Sequence, residues 1–215
     1  MNHIPMRMND PILRPQKLTR RAMAKQQTRQ KVLQAAREMF IERGYEGATI
    51  RDIARAAGMS TGAVFASFTD KPDLFDAILG EDFAALLDPM KDAARTAPSA
   101  RDALVAMFGA AYRAHSAQLP LIQAALAASW TRTPEAERLH REALRPLRAL
   151  VIEVLERGVD RRELTQRFDL RLIADVIWDL YLAGYRPAAF EGLSVETQTD
   201  KLAERIDLVL AGVKA

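Results

Sequence analysis

The 215-residue sequence contains no cysteine, and this absence excludes several classes of protein at once. Without cysteine there can be no disulfide framework, iron–sulfur cluster, thiolate zinc site or cysteine nucleophile. Histidine is scarce too: His3, His115 and His140 lie far apart, and none is paired with a carboxylate at the spacing of a zinc site. We therefore expect neither a metal nor another cofactor.

Long hydrophobic runs are also missing. The longest largely apolar stretch, residues 103–112, is about half of the ~20 residues that a membrane-spanning helix needs. No apolar run follows the N-terminal arginines, so a secretory signal is not expected. Hydrophobic residues make up 49% of the chain and charged residues 27%, which is a globular composition. These features predict a cytoplasmic protein that does not contact a membrane.

Charge is distributed unevenly along the chain. Residues 1–80 carry 13 Lys and Arg against 8 Asp and Glu, whereas residues 81–215 carry 18 against 20. Within residues 1–31 alone, eight basic residues face one acidic residue. A basic end on a slightly acidic body predicts an anionic partner for that end, although a solvated basic tail would give the same counts.

The apolar pattern predicts an all-α fold. Residues 1–24 have no apolar period and contain three prolines, so we expect a flexible basic arm there. From Gln27 onward the period is helical, and no stretch shows the sustained period-two alternation of a strand.

Residues 25–80 show the features of a helix-turn-helix unit. A first helix is predicted over residues 28–43, closed by a glycine. A second helix begins at Thr49, which forms a capping box with Asp52, and ends at Gly58. After a very short gap, a third helix follows over residues 61–68. Two short helices joined by a tight glycine-containing turn favour DNA binding, with an ordinary three-helix bundle as the alternative.

Several motifs in this region form a characteristic set, namely Ala35-Ala36, Phe40, Gly44-Tyr45, Thr49 through Ala54, Ala57 through Ser60, Gly62, Phe68, Lys71 and Leu74-Phe75. With this set, the stretch from Thr28 to Leu79 closely resembles the DNA-binding domain of the tetracycline-repressor (TetR) family of bacterial regulators. The resemblance covers about 50 of the 215 residues. It implies a DNA-binding domain over residues 25–80, an effector-binding and dimerisation domain over residues 81–215, and a homodimer on a palindromic DNA operator.

The resemblance also implies which residues meet DNA. The N-terminal end of the third helix would enter the major groove, with Val64 also close to the bases and Gly62 allowing the backbone to approach. Phe65 and Ser67 depart from the tyrosine and the histidine or tyrosine usual in the family, so hydrogen-bond readout of bases should be sparse. The candidate DNA-binding residues are Thr49, Arg51, Ser60, Thr61, Gly62, Ala63, Phe65, Ser67 and Lys71.

Each of these residues also has a structural interpretation. Thr49 could serve only as a helix cap, and Lys71 could be a solvated charge. In the arm, the basic residues that could enter the minor groove are Arg14, Lys17, Arg20, Arg21 and Lys25.

A fourth helix is predicted to begin at Asp70 and to continue into the body as far as Arg95, and the body adds about five more helices. These cover residues 99–116, 120–131, 134–158 with a kink at Pro146, 169–187 and 194–213. Large aromatic residues alternate here with alanines, which is typical of a mainly apolar ligand pocket, although ordinary core packing is the alternative. The candidate ligand-binding residues are Phe83, Leu87, Met107, Phe108, Tyr112, His115, Leu126, Trp130 and Val151.

The last two helices carry apolar stripes that would form a four-helix dimer interface if the family resemblance holds, or would pack within the chain. The candidate interface residues are Ile173, Ile177, Tyr181, Gly184, Ile206 and Leu210.

Together these features predict a ligand-responsive transcriptional regulator, most simply a repressor released by a small apolar or aromatic effector. A DNA-binding activator, or a regulator without an effector, is the alternative. An enzyme is not expected, because the sequence has no nucleophile–base motif, phosphate loop or metal cluster.

Overall fold

The computed structural model describes residues 19–165 and 167–213, and most of these residues are helical, as the sequence predicts. Within these ranges the α-helices are α1 (Arg20–Gly47), α2 (Ile50–Ala56), α3 (Thr61–Phe65), α4 (Lys71–Arg95), α5 (Ala100–His115), α6 (Leu119–Ala128), α7 (Pro134–Asp160), α8 (Leu170–Ala183), α9 (Tyr185–Glu191) and α10 (Val195–Ala211). A short 3-10 turn, Ser116–Gln118, connects α5 to α6.

Most helices begin at a side-chain cap that can be read from the sequence. A hydroxyl or carboxylate at the N-cap position accepts a hydrogen bond from a backbone amide of the first turn, which otherwise has no partner. Caps of this kind, each bonded to the amide three residues on, are Thr19, Thr49, Ser60, Asp70, Ser99, Thr133 and Ser194.

The first helix is longer than predicted. It begins at Arg20 rather than Thr28, so residues 20–24, which the sequence assigns to the flexible arm, are helical instead. The periodicity misses this start because the added turns are exposed and carry no apolar stripe. The rest of the predicted arm, including Arg14 and Lys17, lies outside the described residues.

Further along the chain, the predicted helix over residues 169–187 is two helices. The first, α8, ends at Ala183, and α9 begins at Tyr185. The helix α7 continues through Pro146. The third helix stops at Phe65, short of the predicted residue 68.

The buried side chains form two clusters that meet along α4 and α6. The N-terminal cluster is built from α1 to α3 and the first turns of α4, and the second fills the body. Leu121 of α6 is fully buried in the N-terminal cluster, whereas Ile122 belongs to the body cluster. Because α4 crosses the predicted domain boundary at residue 80 without a break, it is shared by both parts.

Within the part of the chain that the structure describes, no helix is long and apolar enough to cross a lipid bilayer.

Candidate nucleic-acid interface and effector site

A tight turn sets the angle between α2 and α3. Gly58 adopts a left-handed conformation with φ of 69°, which L side chains rarely adopt. The following amide, that of Met59, donates to the carbonyl oxygen of Ala54 at 2.8 Å. Val64 of α3 is fully buried in the N-terminal cluster, so α3 is held by its inner face and the opposite face is left to solvent.

The outer face of α3 is where the resemblance places the DNA-reading residues. Thr61 and Gly62 are exposed and Ala63 is half-buried. Phe65 is 54% exposed, which is high for a large apolar side chain. The expectation that Val64 lies near the bases is wrong, because its side chain is part of the core. Ser60 is exposed, and its hydroxyl caps α3 by accepting from the amide of Ala63 at 3.2 Å.

Two cation candidates differ in their surroundings. Arg51 is exposed and has no hydrogen bond or ion pair with any described residue. Lys71 instead donates to the carbonyl oxygens of Tyr45 at 2.9 Å and Ala48 at 3.4 Å, and its Nζ lies 4.2 Å from the centre of the Tyr45 ring. These contacts fasten α4 to the C-terminal end of α1, so the structure gives Lys71 an internal role.

Thr49 also has an internal partner. Its hydroxyl accepts from the amide of Asp52 at 3.2 Å and donates to the carboxylate of the same residue at 2.6 Å. That hydrogen bond lowers the pKa of the Asp52 carboxyl. The capping box is therefore formed as predicted. Because the Thr49 hydroxyl donates its proton to Asp52, that proton is not available for a phosphate in this arrangement.

Arg29 supports the end of α3, although it is not among the residues that the sequence predicts to be important there. Its guanidinium donates to the carbonyl oxygen of Ser67 at 3.0 Å and lies 4.2 Å from the centre of the Phe68 ring. This contact holds the segment after α3 against α1. The backbone of Ser67 thus has a structural role, and its side chain is half-buried.

The predicted effector residues are mostly core residues of the body. Five of them are buried, namely Met107, Phe108, Tyr112, His115 and Val151, and three are partly buried against the same cluster, namely Phe83, Leu87 and Leu126. The prediction that Trp130 lines a pocket is wrong, because its side chain is 90% exposed. The reason is that α6 ends at Ala128, so Trp130 no longer follows the helical face of Leu126.

Aromatic rings and their polar atoms fill this part of the core. The rings of Phe108 and Tyr181 stack with centres 4.6 Å apart, and the Tyr112 hydroxyl donates to the Tyr181 carbonyl oxygen at 2.7 Å. Nδ1 of His115 lies 2.6 Å from the Tyr185 hydroxyl. Burial lowers the pKa of His115 to about 4, so the ring is neutral at neutral pH. These contacts are typical of ordinary core packing, which the sequence leaves open as the alternative to a ligand pocket.

The predicted dimer residues are also internal. Ile173, Ile177, Tyr181, Ile206 and Leu210 are all buried within their own chain. Gly184 is needed there for close packing, since a Cβ atom on it would lie 2.1 Å from the Tyr112 hydroxyl. The stripes are apolar as predicted, but each one covers the core of its own chain. The exposed apolar residues of the same helices are Leu172, Val176 and Leu208.

A large groove separates the N-terminal cluster from α6 and α7. Its volume is about 1130 Å³, and one wall is formed by the end of α1 and the start of α4. The other wall carries small side chains of α6 and the first turns of α7. Of the predicted effector residues, Phe83 alone lines this groove.

Comparison with known proteins agrees with this arrangement. Residues 32–78, which span α1 to α4, match the family described as bacterial regulatory proteins, tetR family. The helix-turn-helix region of the chain is therefore similar to the DNA-binding part of this family. It is 45% identical over 65 residues to the HTH-type transcriptional repressor AcnR of Corynebacterium glutamicum, a match that covers 30% of this chain and 35% of AcnR. The chain thus spans about a third of the length of the AcnR repressors.

Two further comparisons reach into the body. The repressor KstR2 of Mycobacterium tuberculosis is 29% identical over 168 residues, covering 74% of this chain and 82% of KstR2. The crystal structure of the transcriptional regulator FadR from Bacillus subtilis in complex with stearoyl-CoA superposes with a TM-score of 0.73. That comparison covers 85% of this chain and 98% of FadR at 17% identity, so it shows a shared fold.

Proposed function

We propose that this chain is a transcriptional repressor of the tetR family that binds double-stranded DNA through α3. The observation that carries the proposal is the exposed N-terminal end of α3, held rigidly by the buried Val64 and by the turn at Gly58. A helix presented in this way can enter the major groove, where its first residues meet base edges. AcnR and KstR2 are both named as repressors, which supports this direction of regulation.

The short side chains of α3 limit how the DNA sequence is read. Thr61 can bond a base edge through its hydroxyl, whereas Ala63 and Phe65 offer apolar contacts to thymine methyl groups. Gly62 adds no side chain, so the helix can come close to the bases. Sequence-dependent DNA shape then contributes the remaining discrimination.

Cationic side chains around α3 supply the attraction to phosphate. Arg51 at the start of α2 is exposed and unpaired among the described residues. Arg20, Arg21 and Lys25 lie on the first turns of α1 and are exposed as well. Each phosphate neutralised by such a side chain makes binding more sensitive to salt.

The proposal includes a homodimer and a palindromic operator. Residues 25–80 would form the DNA-binding domain, and residues 81–215 the effector-binding and dimerisation domain, with α4 common to both. Leu172, Val176 and Leu208 give α8 and α10 exposed apolar surface that a second copy would cover. A two-fold dimer presents two copies of α3, so half-sites should be inverted and about one helical turn apart, ~34–36 Å.

A small-molecule effector is the remaining part of the proposal. The related fold of FadR holds stearoyl-CoA, and this supports an effector with a large apolar portion. An activator, or a regulator without an effector, remains the alternative function. Release of operator DNA by a ligand would favour the first proposal, whereas retention with every ligand tested would favour the alternative.

The test is selection of bound duplexes from a random DNA pool, followed by titration of the recovered operator. We expect an inverted repeat. For Arg51→Ala we expect weaker operator binding and a salt slope of log affinity that is shallower by about 0.9, because each neutralised phosphate contributes roughly that much. Arg145→Ala removes an exposed charge from α7 and serves as the matched control. Recovery of no preferred sequence, or equal losses for both variants, would contradict the proposed interface.

A further inference from the structure

The groove between the N-terminal cluster and α6–α7 contains a buried arginine that lacks a full set of partners. Arg132 lies in the connection between α6 and α7, and its side chain is only 6% exposed. Its nearest acceptors are the Ala125 carbonyl oxygen at 3.5 Å and a Glu137 carboxylate oxygen at 3.8 Å. Its Nε is buried and has no hydrogen-bond partner among the described residues.

The carboxylate nearest to Arg132 is shared. Glu137 accepts a hydrogen bond of 2.6 Å from Arg141, so its short contact is with that exposed residue. Arg132 is therefore a buried cation whose charge is weakly compensated within the chain. A buried charge without a close partner is unfavourable, and an oxyanion offering two acceptors to the guanidinium would relieve it.

Two more polar side chains line the same groove and make no hydrogen bond to any residue that the structure describes. Asp76 of α4 has no hydrogen bond or ion pair to any residue that the structure describes. Burial raises the pKa of the Asp76 carboxyl, and the charge of Arg132 opposes this shift. His140 of α7 packs edge-on against Phe83 with ring centres 5.3 Å apart. Burial and the charge of Arg132 lower the pKa of His140 to about 4, which leaves a neutral ring that can donate or accept.

The rest of the groove is suited to an apolar group. Ala124, Ala127 and Ala128 of α6 leave open space, and Phe83 and Leu139 add apolar surface. A concave, mainly apolar surface with a few convergent polar groups is the usual form of a small-molecule site.

Three acidic side chains at the rim of the groove are already engaged. Asp70 caps α4, Asp73 accepts from Thr69, and Glu135 pairs with Arg138. Among the described residues, Arg132 thus remains a buried cation whose nearest carboxylate oxygen, on Glu137, is 3.8 Å away.

We propose that this groove binds an amphipathic organic anion, with its oxyanion on Arg132 and its apolar body along the alanine face of α6. The proposal rests on the proposed function and names its effector site. A ligand in the groove would contact α4, which follows α3 closely, on one side and α6 and α7 on the other. The ligand would therefore favour one distance between α4 and the α6–α7 pair. By linkage, the factor by which the ligand changes the affinity for operator equals the factor by which operator changes the affinity for the ligand.

The test compares three twelve-carbon probes by calorimetry below their aggregation concentrations: dodecanoate, dodecanol and dodecyltrimethylammonium. We expect dodecanoate to bind most tightly. Arg132→Gln should weaken dodecanoate at least tenfold and leave dodecanol nearly unchanged, because only the charge-assisted contact is lost. Arg145→Gln is the matched charge control and should change neither.

A second variant tests the groove without touching the buried arginine. Ala127 is exposed and lines the groove, so Ala127→Phe should fill it and weaken both dodecanoate and dodecanol. Ala114→Phe makes the same change at an exposed position of α5 outside the groove and should have no effect. Circular dichroism of each variant verifies that the fold is retained.

The outcomes separate this inference from the proposed function. Unchanged dodecanoate affinity in folded Arg132→Gln, unchanged binding in Ala127→Phe, or tighter binding of the cationic probe would each overturn the anion site. If Arg132→Gln fails to fold, the Ala127→Phe result and the order of the three probes decide. Failure of the wild-type chain to bind any selected duplex would instead refute the proposed DNA-binding function.

Discussion

At the scale of single residues, Arg37 of α1 joins the N-terminal cluster to the body. Its guanidinium pairs with the carboxylate of Asp82 on α4 and donates to the Gln118 side chain at 2.9 Å. The side chain of Asp82 is 12% exposed, and one of its oxygens is buried without a hydrogen-bond partner in the described chain. Burial raises the pKa of Asp82, and Arg37 opposes that shift.

We predict that Arg37→Ala destabilises the protein at pH 7 by about 2 kcal/mol, because a buried carboxylate loses its partner. In the variant, the folded-state pKa of Asp82 lies further above the unfolded value, so the folded state holds more protons. Stability must then rise as pH falls through the raised pKa toward the unfolded value of about 4. Urea denaturation at pH 7 and pH 5 should show a smaller deficit at pH 5.

The matched control for this prediction is Arg145→Ala, which removes an exposed arginine that has no partner among the described residues. It should change stability by less than about 0.5 kcal/mol at either pH. A deficit in Arg37→Ala that is the same at both pH values would show that Asp82 is not the group left unpaired.

At the scale of elements, two glycines around α3 have opposite roles. Gly58 has a left-handed φ of 69°, and a Cβ atom on it would meet no other atom within 4 Å. Gly58→Ala should therefore cost about 1 kcal/mol from backbone strain alone. Gly62 lies inside α3, where a Cβ atom would meet only the Ser60 hydroxyl at 3.8 Å. Gly62→Ala should leave stability unchanged or raise it by roughly 0.5 kcal/mol.

Of the two variants, Gly62→Ala should be the more stable but should bind DNA more weakly than Gly58→Ala. Gly62→Ala places a methyl group where α3 would approach the bases, and we expect its operator affinity to fall at least tenfold. Gly58→Ala should bind nearly as wild type at temperatures where it is folded. Thermal denaturation and fluorescence anisotropy on the same samples provide the measurement. A Gly62→Ala variant that binds as tightly as wild type would move the closest DNA contact away from this residue.

Local signals account for the parts of the fold that the sequence predicts well. A cap such as Thr49 or Ser99 bonds to an amide three residues away, so both partners can be read from a short segment. The helical period likewise identifies which residues share a face. It does not identify what covers that face, so the pattern alone left open whether a partner chain or the same chain covers Ile173 and Ile177. In the structure both residues are buried in the core of their own chain.

The candidate effector site requires information that the sequence does not hold locally. The groove exists because Leu121 fixes α6 against the N-terminal domain. Arg132 and Asp76 are far apart in sequence, and their common position in the groove follows only from that docking. The exposure of Trp130 has the same origin, since it depends on α6 ending at Ala128.

At the scale of the whole molecule, α8 and α10 leave apolar side chains uncovered. Leu172 is 57% exposed, Val176 is 40% exposed and Leu208 is 77% exposed. Exposed apolar residues on neighbouring helices are typical of an interface between subunits. In a two-fold dimer the same surface of both subunits forms the interface. A charged side chain introduced on that surface would therefore be buried at two equivalent positions.

We predict that the double variant Leu172→Arg, Leu208→Arg is a helical monomer that binds a palindromic operator far more weakly than wild type. Both side chains are exposed, so the fold of the single chain should be retained, whereas the interface would have to bury four unpaired charges. The loss of DNA affinity follows because one half-site supplies only half of the contacts. Sedimentation velocity, circular dichroism and operator titration measure these three properties. Trp130→Arg replaces an apolar side chain of 90% exposure in the connection between α6 and α7 and should remain dimeric. Persistence of the dimer in the double variant would place the interface on a different surface, and the half-site spacing of the operator would then have to be explained from that surface.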